Sequence, residues 1–302
     1  KLLFLVCFTL PMYTRLNNVI LGLFILFSFV LAFIQGTRLQ VSSLKRFFPV
    51  LVFFLLALIA SITDSAQEFI NQLERYFAFL FVPLTFNLLK NEQEKLIKYS
   101  FWGLTFGCIA TLIICYFNVF YEIIAYEEPL SYFLRWRHLS HRFTEIADTH
   151  PAYLGLFICA SSFFLLIKEK EIKGNLKAIV LIFFFFGLLQ LAARIAIIVF
   201  FALLLIYFFS LIKSNSKYAL AIVILILVTS IFYFSKGSSY YKERFFSYNT
   251  IVEDSRFERL EASFIVFLNE PILGAGFNTI DEKRVSEYRK FNDDVAVKNA
   301  YN

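Results

Sequence analysis

One arginine interrupts two long apolar runs of this 302-residue sequence, and its position suggests chemistry. Arg194 is the only charged residue between positions 178 and 212. A guanidinium in such surroundings must face water, lipid headgroups or an anion. Two interpretations follow: Arg194 snorkels to the membrane surface, or its planar fork holds a phosphate there.

Two more arginines open a segment with helical periodicity. Arg256 and Arg259 lie in the stretch 253–269, for which we predict an amphipathic helix on or near the membrane surface. Its apolar stripe consists of Leu260, Phe264, Phe267 and Leu268. Cations near a helix start are not what the helix dipole favours. The two arginines therefore form either an ordinary solvated face or part of an anion site.

The three histidines lie in a stretch rich in basic and aromatic residues, 121–150. His150 precedes Pro151, a helix-start signal, so it either caps a helix or serves as a general base near neutral pH. The run 135–142 contains His138 and His141. That run either binds acidic headgroups or a diphosphate, or forms an aromatic belt at the membrane interface.

The composition predicts an all-α polytopic membrane protein in which helices position these residues. Hydrophobic residues make up 59% of the chain, charged residues only 17%, and the mean hydropathy is +0.68, whereas soluble domains are about a quarter charged. The net charge of +6 comes from basic loops, so we expect no nucleic-acid partner. The four cysteines fall in apolar runs without disulfide or zinc spacing, and no metal or cofactor motif is present.

Nine apolar segments predict transmembrane helices in the region 1–234, followed by a large loop, 235–302. The segments are 2–12, 19–35, 47–62, 76–89, 99–120, 151–167, 178–192, 195–212 and 218–234. The chain starts within a span and stops in a polar loop. We therefore expect a fragment that lacks both ends of the natural protein.

Loop charges predict the orientation of these spans. Four alternate loops carry Lys and Arg and are expected in the cytoplasm: 36–46, 90–98, 168–177 and 213–217. The segments expected on the opposite side are 13–18, 63–75, 121–150, the turn at Arg194 and 235–302. Both long loops are then outside the cytoplasm.

The stretch from Arg256 to Phe277, with its Pro271-Ile-Leu-Gly274-Ala-Gly276 turn, resembles the hallmark of the O-antigen ligase and O-antigen polymerase family. That family also has a tight helical hairpin with an arginine at its outward turn, where Arg194 falls here, and one branch has a motif similar to His150-Pro-Ala-Tyr153. The resemblance covers the chain from about residue 140 onward. It departs from the family at Ala193, where Ser is frequent, and at Leu260, where Trp is usual.

The resemblance implies a metal-independent, inverting glycosyltransferase of the bacterial inner membrane, without a cofactor. The donor would be a glycan on undecaprenyl diphosphate, bound with its acceptor at the periplasmic face. Arg194 and Arg256 would be catalytic, holding the diphosphate. The other substrate contacts would be Arg259, His150, Tyr153 and Arg142. No histidine follows Gly276, so we expect the general base beyond Asn302, with His150 as a second candidate.

Several functions remain open within and beyond this family. A ligase would use lipid A core as acceptor, a polymerase would use another lipid-linked repeat, and some relatives glycosylate proteins. A transporter or flippase of lipid-linked saccharides is the alternative from another class. It would favour ionisable residues deep within the spans and an internal repeat, and the sequence has neither. A purely structural assembly protein would not require Arg194 at a tight outer turn.

Overall fold

The structure is a computed structural model that describes residues 1–37, 39, 44–61, 66–89, 92–129, 132–133, 135–168, 172–212, 256–271 and 274–290. Within these ranges the regular elements are helical and none is a strand, which confirms the all-α prediction. The longer helices are α1 (Leu2–Thr9), α2 (Thr14–Ile34), α3 (Phe48–Ser61), α4 (Ala66–Leu88), α5 (Gln93–Ala125), α6 (Pro151–Phe163), α7 (Gly174–Leu191), α8 (Arg194–Ile212), α9 (Arg256–Asn269) and α10 (Phe277–Arg289).

Three of the described helices, α2, α5 and α7, are long and apolar enough to cross a membrane. A fourth candidate is a bent pair, in which the helical turns His141–Ala147 meet the helix Pro151–Ile167 at 78°. These helices support a multi-pass membrane protein. Other predicted spans are shorter helices, such as α1 with 8 residues and α3 with 14, and the predicted span 218–234 lies outside the described residues.

Two polar segments that were predicted as loops are helical. α4 begins at Ala66 and runs unbroken to Leu88, so most of the predicted loop 63–75 is the first half of a helix. Its Gln and Glu residues are good helix formers. In the predicted loop 235–302, α10 follows α9 as a second helix.

The chain divides into two units, and the first comprises Lys1–Phe24 and Glu92–Ser247. Its described core is formed by apolar side chains of α5, α6, α7 and α8, including Leu112, Ile158, Phe184, Leu188 and Phe200. α1 packs along α5, where the backbones touch at Gly103 and Gly107. A Cβ at these glycines would collide with the carbonyl oxygens of Phe4 and Phe8.

The second unit comprises Ile25–Asn91 and Tyr248–Asn302. Within it α3 packs on α4, and α9 packs on α10 through the buried residues Ala262 and Tyr288. Of the amphipathic helix predicted over 253–269, the described residues Arg256–Asn269 are helical as α9, and 253–255 lie outside the described residues. Its predicted stripe of Leu260, Phe264, Phe267 and Leu268 is exposed.

Candidate functional site

A tight turn between α7 and α8 carries Arg194. Ala192 ends α7 in the left-handed conformation, with φ 50° and ψ 33°, and its N–H donates to the carbonyl of Leu189 at 3.0 Å. Arg194 is the first residue of α8 and is partly buried. The hairpin predicted from the sequence is therefore present, with the arginine at the point where the chain reverses.

The start of α6 lies beside this turn. A Cβ at Gly155 would come within 2.8 Å of the Ala196 Cβ and 3.4 Å of the Ala193 Cβ, so the two helices approach closely where Arg194 enters α8. His150 caps α6: its Nδ1 accepts a hydrogen bond from the N–H of Ala152 at 3.2 Å. The lone pair of Nδ1 is thereby occupied. The capping role predicted for His150 is therefore present, and its role as a general base stays a prediction.

A buried glutamine fastens the loop that follows α5 to the end of α7. The Nε2 of Gln190 donates to the carbonyls of Phe133 at 3.0 Å and His138 at 2.7 Å. Its backbone carbonyl accepts from the N–H of Ser140 at 3.0 Å. Gln190 is only 1% exposed. The basic aromatic run 135–142 is therefore attached to α7 at Gln190, which precedes Arg194 by four residues in the sequence.

Exposed aromatic rings connect this loop to α6. The His141 and His150 rings meet edge to face with centroids 4.5 Å apart, and the His150 and Tyr153 rings are 5.3 Å apart. Arg142, next to His141, is exposed and contacts Glu145 at 3.5 Å. Thus the segments that carry Arg142, His150, Tyr153 and Arg194 converge in one region.

This region is one end of the first unit, which we call the loop end. α1 also finishes there, since the N–H of Tyr13 donates to the carbonyl of Ala147 at 3.0 Å. The predicted segments 13–18, 121–150 and the Arg194 turn therefore share one end. This agrees with their predicted placement on one side of the membrane.

Left-handed backbone concentrates at the loop end. The described residues other than glycine with positive φ are Tyr13, Glu127, Ser140, Asp148 and Ala192, and each lies in a turn of this region. Ser140 has φ 55° and ψ −125°, is 4% exposed, and its Oγ is buried without a hydrogen-bond partner. Such conformations cost about 1–3 kcal/mol each and cluster at functional sites.

Sequence inspection missed a charged cluster beneath the loop. His138 is only 2% exposed, and its Nδ1 lies 3.4 Å from Glu122 Oε2 while its Nε2 lies 3.4 Å from Glu128 Oε2. Arg137 Nη1 donates to the second oxygen of Glu128 at 3.4 Å. The amide of Asn118 donates to the second oxygen of Glu122 at 3.0 Å. The sequence did contain one signal of this cluster, namely a histidine close to two acidic residues in the same polar stretch.

Arg256 and Arg259 belong to the second unit. α9 begins at Arg256 and ends at Asn269, and the side chains of both arginines lie outside what the structure describes. After α9, the turn contains Gly274 and Gly276, each with φ 73°, so the Pro and Gly residues end the helix as predicted. Gly276 then caps α10.

Among the described residues, no group of three or more His, Cys, Asp and Glu side chains is arranged to hold a metal ion. Comparison of the chain with protein families, with curated proteins and with solved structures finds no match.

Proposed function

We propose that this protein is a glycosyltransferase that uses a glycan on undecaprenyl diphosphate at the periplasmic face of the bacterial inner membrane. One observation carries the proposal: at the loop end, beside apolar helices, the turn bearing Arg194 meets the basic aromatic loop and the start of α6. A lipid-linked diphosphate needs a cationic, partly buried site at the level of the membrane surface.

Arginine suits the leaving group of this reaction. A planar guanidinium donates two parallel hydrogen bonds to a phosphate. Charge grows on the diphosphate as the glycosidic bond breaks, and donors fixed in advance stabilise that charge. Arg194 supplies one such group. The resemblance of the α9 segment to the ligase and polymerase family implies the same role for Arg256, and a substrate contact for Arg259.

The proposed reaction is an inverting displacement without metal or cofactor. The acceptor hydroxyl attacks the anomeric carbon, the bond from that carbon to the diphosphate oxygen breaks, and the electron pair leaves with the diphosphate. A base takes the hydroxyl proton. Arg142, His150 and Tyr153, on the loop and at the start of α6, would contact the sugar or diphosphate.

The proposal is tested with Arg194→Ala, Arg194→Lys and Arg256→Ala in the full-length protein, expressed in cells that lack the native gene. Surface glycan is followed by gel. We expect the ladder of surface glycan bands to be lost with either alanine variant. With Arg194→Lys it should be strongly reduced, because a lysine ammonium carries the charge but cannot form the two parallel hydrogen bonds of a guanidinium.

Arg15→Ala is the matched control. Arg15 is an exposed arginine in the first turn of α2 at the same loop end, and we expect it to leave the ladder unchanged. A normal ladder with both Arg194→Ala and Arg256→Ala excludes the diphosphate role.

The intermediate that accumulates on gene deletion identifies the acceptor. Full-length glycan retained on the lipid carrier indicates a ligase that transfers to lipid A core. Single repeats on the carrier indicate a polymerase. Lipid-linked glycan trapped on the cytoplasmic leaflet indicates the alternative function, a flippase without glycosyl transfer.

A further inference from the structure

The buried His138 cluster contains a place for one more proton. Each ring nitrogen of His138 faces a carboxylate oxygen at 3.4 Å. A carboxylate only accepts hydrogen bonds, and a neutral imidazole has a single N–H. If the His138 ring is neutral, only one of its nitrogens can donate a hydrogen bond. At the other contact, the lone pair of the ring nitrogen then faces a lone pair of the carboxylate oxygen, which is repulsive. A proton added there converts that contact into a charge-assisted hydrogen bond.

Glu122 is the more exposed of the two carboxylates in this cluster. Its side chain is 31% exposed, compared with 17% for Glu128 and 2% for His138. Both oxygens of Glu128 are engaged, one by His138 and the other by Arg137. Glu122 has His138 on one oxygen and the Asn118 amide on the other. Both carboxylates thus have two partners, and Glu122 is distinguished by its greater exposure.

The loop that carries His138 is attached to the helix that leads to Arg194, and Glu122 lies at the end of a long helix. The carbonyl of His138 accepts the Gln190 amide at 2.7 Å, four residues before Arg194. Glu122 lies in the last turn of α5, a helix of 33 residues. Such a helix is roughly 50 Å long, which exceeds the roughly 30 Å of bilayer hydrocarbon. The end that carries Glu122 can therefore project into water or headgroups.

We propose that Glu122 is the general base for the acceptor hydroxyl and that His138 shares the proton it receives. This inference rests on the proposed glycosyl transfer. As the acceptor O–H bond breaks, its electron pair forms the new bond to the anomeric carbon and the proton passes to Glu122. The bond to the diphosphate oxygen breaks, and its electron pair leaves with the diphosphate. The added proton settles between Glu122 and His138.

The charged groups facing His138 in the described structure support this role. Glu122 faces it from α5 and Glu128 from the turn that follows, while Arg137 faces Glu128 and lies 4.6 Å from the ring centroid of Tyr126. With a protonated ring the four side chains carry two positive and two negative charges. The added proton therefore leaves the buried His138 ring paired with opposite charge on both sides, whereas an unpaired charge on that ring would be costly. His138 and Glu128 are positioning residues, because Glu122 alone would touch the acceptor.

Glu122→Gln separates a catalytic role from a structural one. The glutamine is isosteric, and its amide can donate to Nδ1 of His138, so the loop stays attached and the melting temperature should not fall. General base catalysis contributes about 10²–10⁴-fold. We expect transfer by full-length protein in membrane vesicles, supplied with lipid-linked donor from the deletion strain, to fall by at least about 100-fold, mainly in kcat.

The division of the loss between kcat and KM provides a readout that a structural role would not move. In Glu122→Gln, kcat should fall while the KM for the lipid-linked donor stays at the wild-type value, because a general base acts in the transition state and not in donor binding. Glu127→Gln is the matched control: Glu127 is exposed, five residues further along the same segment, and should keep the wild-type kcat and KM.

The outcomes distinguish this inference from the proposed function. Wild-type transfer by Glu122→Gln, with Arg194→Ala inactive, overturns the assignment of Glu122 as the base. It leaves the proposed glycosyltransferase function unaffected. Wild-type transfer by Arg194→Ala and Arg256→Ala overturns the function itself. If Glu122→Gln does not fold, Glu122→Asp replaces it. A folded Glu122→Asp should regain part of the rate, and a folded variant without activity overturns the proposal.

Discussion

At the scale of single residues, the loop end shows backbone strain at positions where glycine would be the easier choice. Ala192 ends α7 with φ 50°, a position that helices commonly give to glycine. A residue with a Cβ in this left-handed conformation costs about 1 kcal/mol relative to glycine. The turn that presents Arg194 is thus held by its surroundings and not by local preference.

We predict that Ala192→Gly raises stability by about 0.5–1 kcal/mol, because glycine adopts positive φ without a Cβ clash. The measurement is the thermal midpoint in detergent. Ala193→Gly is the control, since Ala193 is not among the left-handed residues and should gain nothing. A lower midpoint for Ala192→Gly than for Ala193→Gly would contradict the argument.

At the same scale, the sequence predicted some site residues and missed others for a physical reason. Arg194 was recognisable because a charge between apolar runs is costly on its own. Gln190 was a weaker signal of the same kind, an amide in an apolar run. Its partners Phe133 and His138 are 57 and 52 residues away. Contacts over such separations depend on packing that no local pattern encodes.

At the scale of elements, helix contacts at the loop end depend on few polar groups. Gln190 provides three hydrogen bonds to the loop. We predict that Gln190→Leu releases this loop, because each buried carbonyl left without a donor costs about 1–3 kcal/mol. Limited trypsin digestion should then cut after Arg135 or Arg137 faster than in the wild type.

Gln35→Leu is the control for that digestion. Gln35 is exposed at the end of α2, so its replacement should leave the cleavage rate at the loop unchanged. Equal protection of the loop in Gln190→Leu and wild type would show that other contacts hold it.

The pairing of α1 with α5 depends on two glycines four residues apart, a spacing common where membrane helices touch. A Cβ at Gly103 or Gly107 would collide with backbone oxygens of α1. We predict that Gly103→Ala and Gly107→Ala each cost about 1–3 kcal/mol, as overpacking does, measured by thermal denaturation in detergent. Gly22→Ala has open space around its Cβ and should cost nothing.

The helices themselves followed from the sequence to different degrees. α2, α5, α7 and α9 were predictable because apolar runs or a 3.6-residue period mark them. α10 was missed because its described exposed face is largely charged and its buried residues, Val285 and Tyr288, are too few to form a clear stripe. The first half of α4 does not follow from the sequence, because its polar residues interrupt the apolar pattern of the spans.

At the scale of the whole molecule, the prediction to test is orientation. Lys173 and Ala192 flank α7, an 18-residue helix about 27 Å long. We predict that Glu127→Cys at the loop end reacts with a membrane-impermeant maleimide in spheroplasts, whereas Lys173→Cys reacts only after lysis. The native cysteines provide a low background, since Cys108, Cys115 and Cys159 are buried and Cys7 is partly buried. The opposite labelling pattern would invert the topology.

The attachment of the loop by Gln190 has a consequence for how the protein is made. His138 leaves the ribosome 52 residues before the amide that holds its carbonyl. At about 5–20 residues per second, the loop waits roughly 3–10 s for α7 to be inserted. During that interval the carbonyls of Phe133 and His138 lack the Gln190 amide that later pairs with them. The site is therefore completed late in biosynthesis, and premature termination before α7 leaves the loop without its main anchor.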